Sequence, residues 1–308
     1  MIESGLITAR FLHLAAVMPL FGLALFPLYS WPSRASRPYE LTRWLRASIW
    51  CAALVGLLSG LSWGWFAVAS MTGTISAAAD QETLLTVLRD TSFGQVWVAR
   101  LALIAVLLVL TTRISKEYCP DWAIVGLAAL LLASLALVGH THTHDGALWV
   151  AHISADGAHL LAGGAWLGGL LALGRLLMLA RRLPSAEHDA DAIAALVRFS
   201  GMGYVAVAIL IGSGLINTWM LVGSPERLIT TPYGQLLLMK VSLLAGMLAL
   251  AAQNRFRLVP SLQGSKESSV ALLPRLRRNV IGEQLLGLTI VLIAAWLGTL
   301  APAITAAQ

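Results

Sequence analysis

Charged residues are scarce in this chain. They make up only 12% of its 308 residues, while 58% are hydrophobic, whereas a soluble domain carries about a quarter charged residues. This composition excludes a water-soluble globular protein. Each span needs roughly 20 apolar residues to cross a bilayer, and such runs lie at about 7–29, 47–70, 97–113, 122–140, 152–177, 199–222, 234–253 and 281–301.

Segments in hydrocarbon must satisfy their own backbone hydrogen bonds, so these runs are expected to be helices. We therefore predict an all-α integral membrane protein with eight transmembrane helices. No short apolar segment with a cleavage site precedes the first span, so residues 1–30 are expected to remain as a helix and not to be removed as a signal peptide.

The motifs of nucleotide and hydrolytic chemistry are also missing. The chain contains no P-loop, no G-x-S-x-G and no H-E-x-x-H, so we expect neither an enzyme nor ATP-driven pumping. Its two cysteines, Cys51 and Cys119, lack C-x-x-C spacing and are too few for a disulfide framework. Packing explains them better than metal binding does.

The basic residues give the orientation. Alternate loops, which follow helices one, three, five and seven, hold 16 of the 21 basic residues. The positive-inside rule places these loops in the cytoplasm, and both termini in the periplasm. Membrane topology thus explains the net charge of +6, and no nucleic-acid partner is expected.

The two halves of the chain resemble each other. "TSFGQVWVARLAL" (91–103) matches "TPYGQLLLMKVSL" (231–243), and Ser59-Gly60-Leu61 matches Ser213-Gly214-Leu215. A shorter match aligns His13 with His159. Four helices separate the equivalents, so the halves share one orientation, as parallel repeats do in some transporters. We predict two parallel four-helix repeats, 1–145 and 146–308.

Helix five carries three ionisable residues on one narrow stripe. His152, Asp156 and His159 fall within about 60° at 3.6 residues per turn, and Gly163 continues the stripe with room for an approaching group. Ionisable residues inside spans normally face the bundle interior. Two imidazoles and a carboxylate can hold a transition metal, and the repeat brings His13 to a similar depth. Hydrogen bonding across helices is the structural alternative.

A second histidine group precedes that helix. The stretch "HTHTHD" (140–145) contains His140, His142 and His144, which can project to one side of an extended segment. Imidazole suits Cu(II) and Zn(II), so this loop either captures a metal from outside or is merely solvated. Met18, Met71, Met220 and Met239 could serve Cu(I), although packing explains each of them better.

Other polar residues in the spans leave alternatives open. Arg100 and Lys240 are repeat equivalents that either snorkel outward or compensate Asp156 electrostatically. Glu283 is expected to be solvated at the cytoplasmic interface. Gly164 and Gly168 are spaced four apart, which predicts a seam for close helix contact.

The second half resembles the copper resistance D (CopD) family of bacterial inner-membrane proteins. The resemblance lies in "HLLAGGAWLGGLLAL", "RFSGMGYVAVAILIGSGLINTW", "TPYGQLLLMKVSLL" and "NRFRLVP" followed by "LRRNVIGEQLLGL". It implies copper movement across the inner membrane, usually as uptake from the periplasm with a separate copper-binding partner of the CopC type. It points to His13, Asp156 and His159 as intramembrane residues, with His152 less firmly implied.

We therefore expect copper transport or homeostasis at the inner membrane, with copper as the ion bound and the lipid bilayer as surroundings. Copper would pass from His140, His142 and His144 to His152, and then to a site built by His13, Asp156 and His159. One alternative is a b-type cytochrome subunit, with haem held by His13 and His159 or by His140 and His152. A non-transporting copper sensor is another. The direction of transport and the oxidation state of copper stay open.

Overall fold

The computed structural model describes residues 1–31, 38–113, 121–139, 146–182, 186–264 and 266–305, which form helices joined by turns. The helices are α1 (Ile2–Ser30), α2 (Tyr39–Thr72), α3 (Ile75–Ala79), α4 (Gln81–Asp90), α5 (Ser92–Arg113), α6 (Asp121–Ala133), α7 (Gly146–Arg182), α8 (Ala186–Val222), α9 (Pro225–Thr230), α10 (Pro232–Gln253), α11 (Val259–Gly264) and α12 (Lys266–Leu297).

Within these ranges, seven helices are long and apolar enough to cross a membrane: α1, α2, α5, α7, α8, α10 and α12. The all-helical membrane fold is thus confirmed. The fourth predicted span, 122–140, forms a shorter apolar helix over Trp122–Leu137 that ends in a 3₁₀ turn. At 1.5 Å per residue it rises about 24 Å, less than the roughly 30 Å of the hydrocarbon core. The count of eight spans therefore stays a prediction.

Helix α1 lies at the centre of the bundle. It packs along α2 and α7 and also contacts α6, α8 and α12. The contact with α7 is a seam of glycines, in which Gly22 of α1 lies directly against Gly164 and Gly168 of α7. The predicted seam at Gly164 and Gly168 is therefore present, and its partner is α1. Such small residues let two helix backbones approach closely where lipid supplies no hydrophobic driving force.

The two matching stretches that open α5 and α10 begin with the same hydrogen bonds. The Thr91 hydroxyl accepts from the Gly94 N–H at 3.0 Å, and the Thr231 hydroxyl accepts from the Gly234 N–H at 3.0 Å. The amide of Gln95 donates to a carbonyl of the preceding short helix at 2.9 Å, and that of Gln235 does so at 3.0 Å. The Thr-x-x-Gly-Gln spacing thus specifies one local structure twice.

The halves differ in how the second and third long helices meet. Helix α2 packs along α5, but α8 and α10 have no comparable interface within the described ranges. Helix α10 is held mainly by α12 and α9. Side chains of α7 that face the gap between α8 and α10 are therefore less enclosed than their counterparts on α1.

The short helix α4 gives a test outside the membrane. Asp80 caps it, and its carboxylate accepts from the Thr83 N–H and hydroxyl, each at 2.8 Å. These bonds lower the pKa of Asp80, so the cap is complete at neutral pH and is lost only as pH falls through that lowered pKa. We expect Asp80→Ala to speed amide hydrogen exchange in the first turn of α4 at neutral pH. Equal exchange in both proteins would contradict this.

Candidate functional site

His13 is completely buried in the first half of the chain. Its Nδ1 lies 3.0 Å from the carbonyl oxygen of Gly56 and 3.4 Å from the hydroxyl of Ser59, both on α2. A carbonyl oxygen can only accept, so Nδ1 carries the proton and donates it to Gly56. The neutral ring then has its lone pair on Nε2.

The lone pair on Nε2 of His13 already accepts a hydrogen bond. Nη2 of Arg100 lies 2.9 Å from Nε2 of His13 and donates to it. The same guanidinium donates to the Leu131 carbonyl at 2.6 Å and to the Ser134 hydroxyl at 2.5 Å. Arg100 is only 1% exposed, so it does not snorkel outward, and the charged group that acts on Asp156 is Lys240. Both nitrogens of His13 are therefore committed to hydrogen bonds in this structure.

Aromatic rings close the space around His13. Trp63 meets its ring edge-on at a centroid distance of 5.4 Å, and Trp97 lies at 5.5 Å. The guanidinium of Arg10 sits 4.5 Å above the ring of Trp63. Two guanidinium groups thus flank His13, and no described carboxylate pairs with either of them. This charge balance disfavours a metal cation in the first half.

His159 occupies the corresponding place in the second half. Its Nδ1 lies 3.0 Å from the hydroxyl of Ser213 on α8, and it also bonds to the backbone of Leu210. Ser213 uses its own proton on the Ile209 carbonyl at 2.5 Å, so His159 donates through Nδ1. Among the described residues none bonds to Nε2 of His159. Its lone pair is thus available to a ligand.

Asp156 lies one turn before His159 and faces the same helix. Its Oδ1 accepts from the side-chain amide of Asn217 on α8 at 3.2 Å. Lys240 and Tyr233 on α10 are close enough to interact with it electrostatically. Lys240 therefore compensates Asp156, which was one of the two alternatives for that residue. The side-chain oxygen of Asn217 is buried and has no hydrogen-bond partner among the described residues.

Of the other predicted metal ligands, only His152 lies within the described residues. His152 is 2% exposed on α7, one turn before Asp156. His140, His142 and His144 lie outside the described residues. Within the part of the chain that is described, no three side chains of the His, Cys, Asp and Glu types converge as a metal site. Asp156, His159 and Asn217 provide oxygen and nitrogen donors that are near one another but not assembled around an ion.

Two features of this region were not predicted from the sequence. The bond between Arg100 and His13 joins α5 to α1, and no sequence spacing shows that contact. The exchange of Arg10 for Asp156 could have been found, because the match that aligns His13 with His159 also aligns these two residues. This exchange gives the first half a positive charge where the second half has a negative one.

Both halves of the chain match profiles of known protein families. Residues 1–151 match the family profile "Copper resistance protein D-like, N-terminal domain", and residues 193–297 match "Copper resistance protein D". The chain is 31% identical over 309 residues to Copper resistance protein D of Pseudomonas syringae pv. tomato, which covers 96% of each chain.

The chain belongs to the copper resistance protein D family. This confirms the resemblance seen in the sequence. Another relative is the Inner membrane protein YebZ of Escherichia coli (strain K12), 29% identical over 305 residues, which covers 96% of this chain and 98% of YebZ. The Copper transport protein CutJ of Bacillus subtilis (strain 168) is 27% identical over 257 residues, covering 82% of this chain and 46% of CutJ. No solved structure is significantly similar to this member of the copper resistance protein D family.

Proposed function

We propose that this chain carries copper across the bacterial inner membrane, without catalysing a covalent reaction, and that the second half provides the ion site. The family indicates that the transported ion is copper, since the names of its members concern copper resistance and copper transport. The name of YebZ supports the inner membrane. The basic loops favour periplasmic termini, and uptake from the periplasm is the direction we propose.

The choice of the second half as the ion site depends on one difference between His13 and His159. His13 and His159 are both anchored through Nδ1, but Arg100 occupies Nε2 of His13, whereas no described residue occupies Nε2 of His159. A histidine fixed through one nitrogen is oriented to bind a metal through the other. His159 is therefore the better ligand, and His13 serves as a structural counterpart that positions α1 against α2 and α5.

Charge supports the same choice. The first half sets Arg10 and Arg100 around its histidine, while the second half sets Asp156 and Lys240 around His159. An arriving copper ion would meet net positive charge in the first half and a carboxylate in the second half. Asp156 can bind the ion or hold a neighbouring ligand.

The remaining donors complete a path along α7. His152 lies nearer the start of the helix, and we propose that it passes copper to His159 and Asp156. Met18 of α1 brings a soft thioether to this face, since its methyl carbon would lie 2.9 Å from a Cβ on Gly163. His140, His142 and His144 would receive the ion first, from a separate periplasmic protein of the CopC type.

The paired anchoring also supports the two-repeat architecture, which we propose for 1–145 and 146–308. The bonds of His13 to α2 and of His159 to α8 involve aligned serines, Ser59 and Ser213. The two halves would move relative to each other to expose the site alternately. A b-type haem is disfavoured at His13, because both of its nitrogens are hydrogen-bonded and tryptophans fill the space beside it.

The test is the metal content of detergent-purified protein after incubation with Cu(I). We expect about one tightly held copper per chain, bound at Asp156 and His159, and no iron. His159→Ala should lose this copper, whereas His13→Ala should retain it in the protein that remains folded. Copper lost equally from folded samples of both variants would contradict the choice of the second half.

Two other outcomes would overturn the function itself. Stoichiometric iron without copper would indicate haem. Copper bound by wild type but never carried into proteoliposomes would indicate a sensor. For the flux measurement, His159→Ala is the negative control, and exposed Glu82→Gln on α4 is the matched variant expected to behave as wild type.

A further inference from the structure

A polar cluster lies where the end of α10 packs against α12, and it is buried except for Gln253, which is exposed. We define it as Gln253, Asn254, Asn279 and Glu283. The amide of Asn254 donates to Oε1 of Glu283 at 2.7 Å. The amide of Asn279 donates to the side-chain oxygens of Gln253 and Asn254, each at 2.8 Å. These residues join the end of α10 to α12 near the basic loop between them.

Glu283 is the one ionisable member of the cluster. It is 2% exposed, so the expectation that it is solvated at the interface is wrong. The reason is tertiary: α7 covers this face of α12, and the indole of Trp166 also hydrogen-bonds to the Glu283 carboxylate. A carboxylate with this degree of burial normally has a cationic partner.

No such partner is present among the described residues. The basic side chains described on the elements packed around α12 are Arg10 on α1, Arg175 and Arg181 on α7, Lys240 on α10, Arg255 and Arg257 after α10, and Arg275, Arg277 and Arg278 on α12 itself. None forms an ion pair with Glu283, and no charged group acts on it electrostatically. Its two hydrogen-bond partners are both neutral donors.

The backbone is specially shaped to present Asn254. Helix α10 passes there into a π-helical turn over Asn254–Leu258. Such turns are rare and frequently occur at functional sites, because the extra residue redirects side chains. Asn254 itself is 6% exposed, whereas Phe256 two residues later is 67% exposed. The turn thus directs one amide inward, onto the carboxylate.

We propose that Glu283 is a proton-binding site that couples copper passage to proton movement. This inference rests on the proposed transport function and adds to it a driving ion. It concerns a different residue set from the copper ligands, which lie on the α7 and α8 faces described above.

The chemistry is a simple exchange. The ionised carboxylate accepts one proton from hydronium and becomes a neutral acid, leaving a water molecule, and the reverse step returns that proton to water as hydronium. Neutral donors favour the ionised form, while burial without a counter-charge favours the neutral one. Asn254 and Trp166 cannot supply an acidic proton, so they only orient the carboxylate.

The first experiment is infrared difference spectroscopy of the purified full-length protein at different pH values. Wild type should show a carboxylic-acid C=O band that disappears as pH rises and shifts in D₂O. Glu283→Gln should lack this band, whereas Asp156→Asn, which removes the other enclosed carboxyl described above, and exposed Glu82→Gln should keep it. The absence of a titrating buried band in wild type, or its persistence in Glu283→Gln, would overturn the proposal without any assumption about copper.

The second experiment separates coupling from transport. In proteoliposomes containing a pH-sensitive dye, copper entry through wild type should change the internal pH, and Glu283→Gln should lose that change while still binding copper at the His159 site. Copper entry with no pH change in wild type would overturn the coupling. No copper entry into wild-type vesicles under any pH gradient would instead overturn the proposed transport function.

Discussion

Gly168→Ala is expected to lower the free energy of unfolding by about 1–3 kcal/mol, although it adds only one methyl group. A Cβ at Gly168 would lie 2.5 Å from Cα of Gly22, 2.5 Å from the carbonyl oxygen of Pro19 and 2.6 Å from the backbone nitrogen of Leu23. All three are backbone atoms of α1. No side-chain rotation can relieve the clash, so α1 and α7 must separate.

The effect should extend beyond stability. Helix α1 contacts most of the long helices, and α7 carries His152, Asp156 and His159. Displacing α7 from α1 would therefore shift the proposed copper ligands relative to Ser213 and Asn217 on α8. We expect weaker copper binding together with a lower midpoint of thermal unfolding in mild detergent.

Gly212→Ala is the matched control. Gly212 lies within a transmembrane helix, α8, but a Cβ there would meet no atom within 4 Å. The replacement should leave the unfolding midpoint unchanged or raise it slightly, because alanine favours the helix over glycine. An equal loss of stability in the two variants would show that the α1–α7 seam is not the cause.

Arg100→Ala is expected to destabilise the protein by on the order of 3 kcal/mol. The change removes a fully enclosed side chain and leaves a cavity between α1, α5 and α6. It also leaves Nε2 of His13 without its donor, and removes the donor that Arg100 supplies to Leu131 and Ser134. Unfolding in denaturant, followed by tryptophan fluorescence, would measure this because Trp97 lies beside Arg100.

Lys240→Ala provides the comparison, since Lys240 aligns with Arg100 in the repeat. Lys240 is only partly buried in the gap beside α8, so its loss should leave a smaller cavity. Its charge acts on Asp156, and we expect its removal to change copper affinity more than stability. If Lys240→Ala were the more destabilising change, the division between a structural first half and a binding second half would be contradicted.

The sequence predicted the candidate site in part. It placed His152, Asp156 and His159 on one helix, as the structure does, because helical periodicity is a local property; that they form one metal site stays a prediction. It placed Lys240 near Asp156 as one of two alternatives. It did not predict that Arg100 would donate a hydrogen bond to Nε2 of His13, or that Asn217 would donate one to Asp156. Both contacts join different helices.

The sequence by itself determined the membrane class, seven of the spans, the twofold pattern of motifs and the family resemblance. These follow from hydropathy and short-range spacing, which each segment carries alone. Only the tertiary structure decided which histidine has a free nitrogen, that the fourth apolar segment is short, and that Glu283 is buried. Helices that are apolar on every side carry no stripe to reveal their neighbours, so these contacts depend on how the glycine seam and the covering helices bring the faces together.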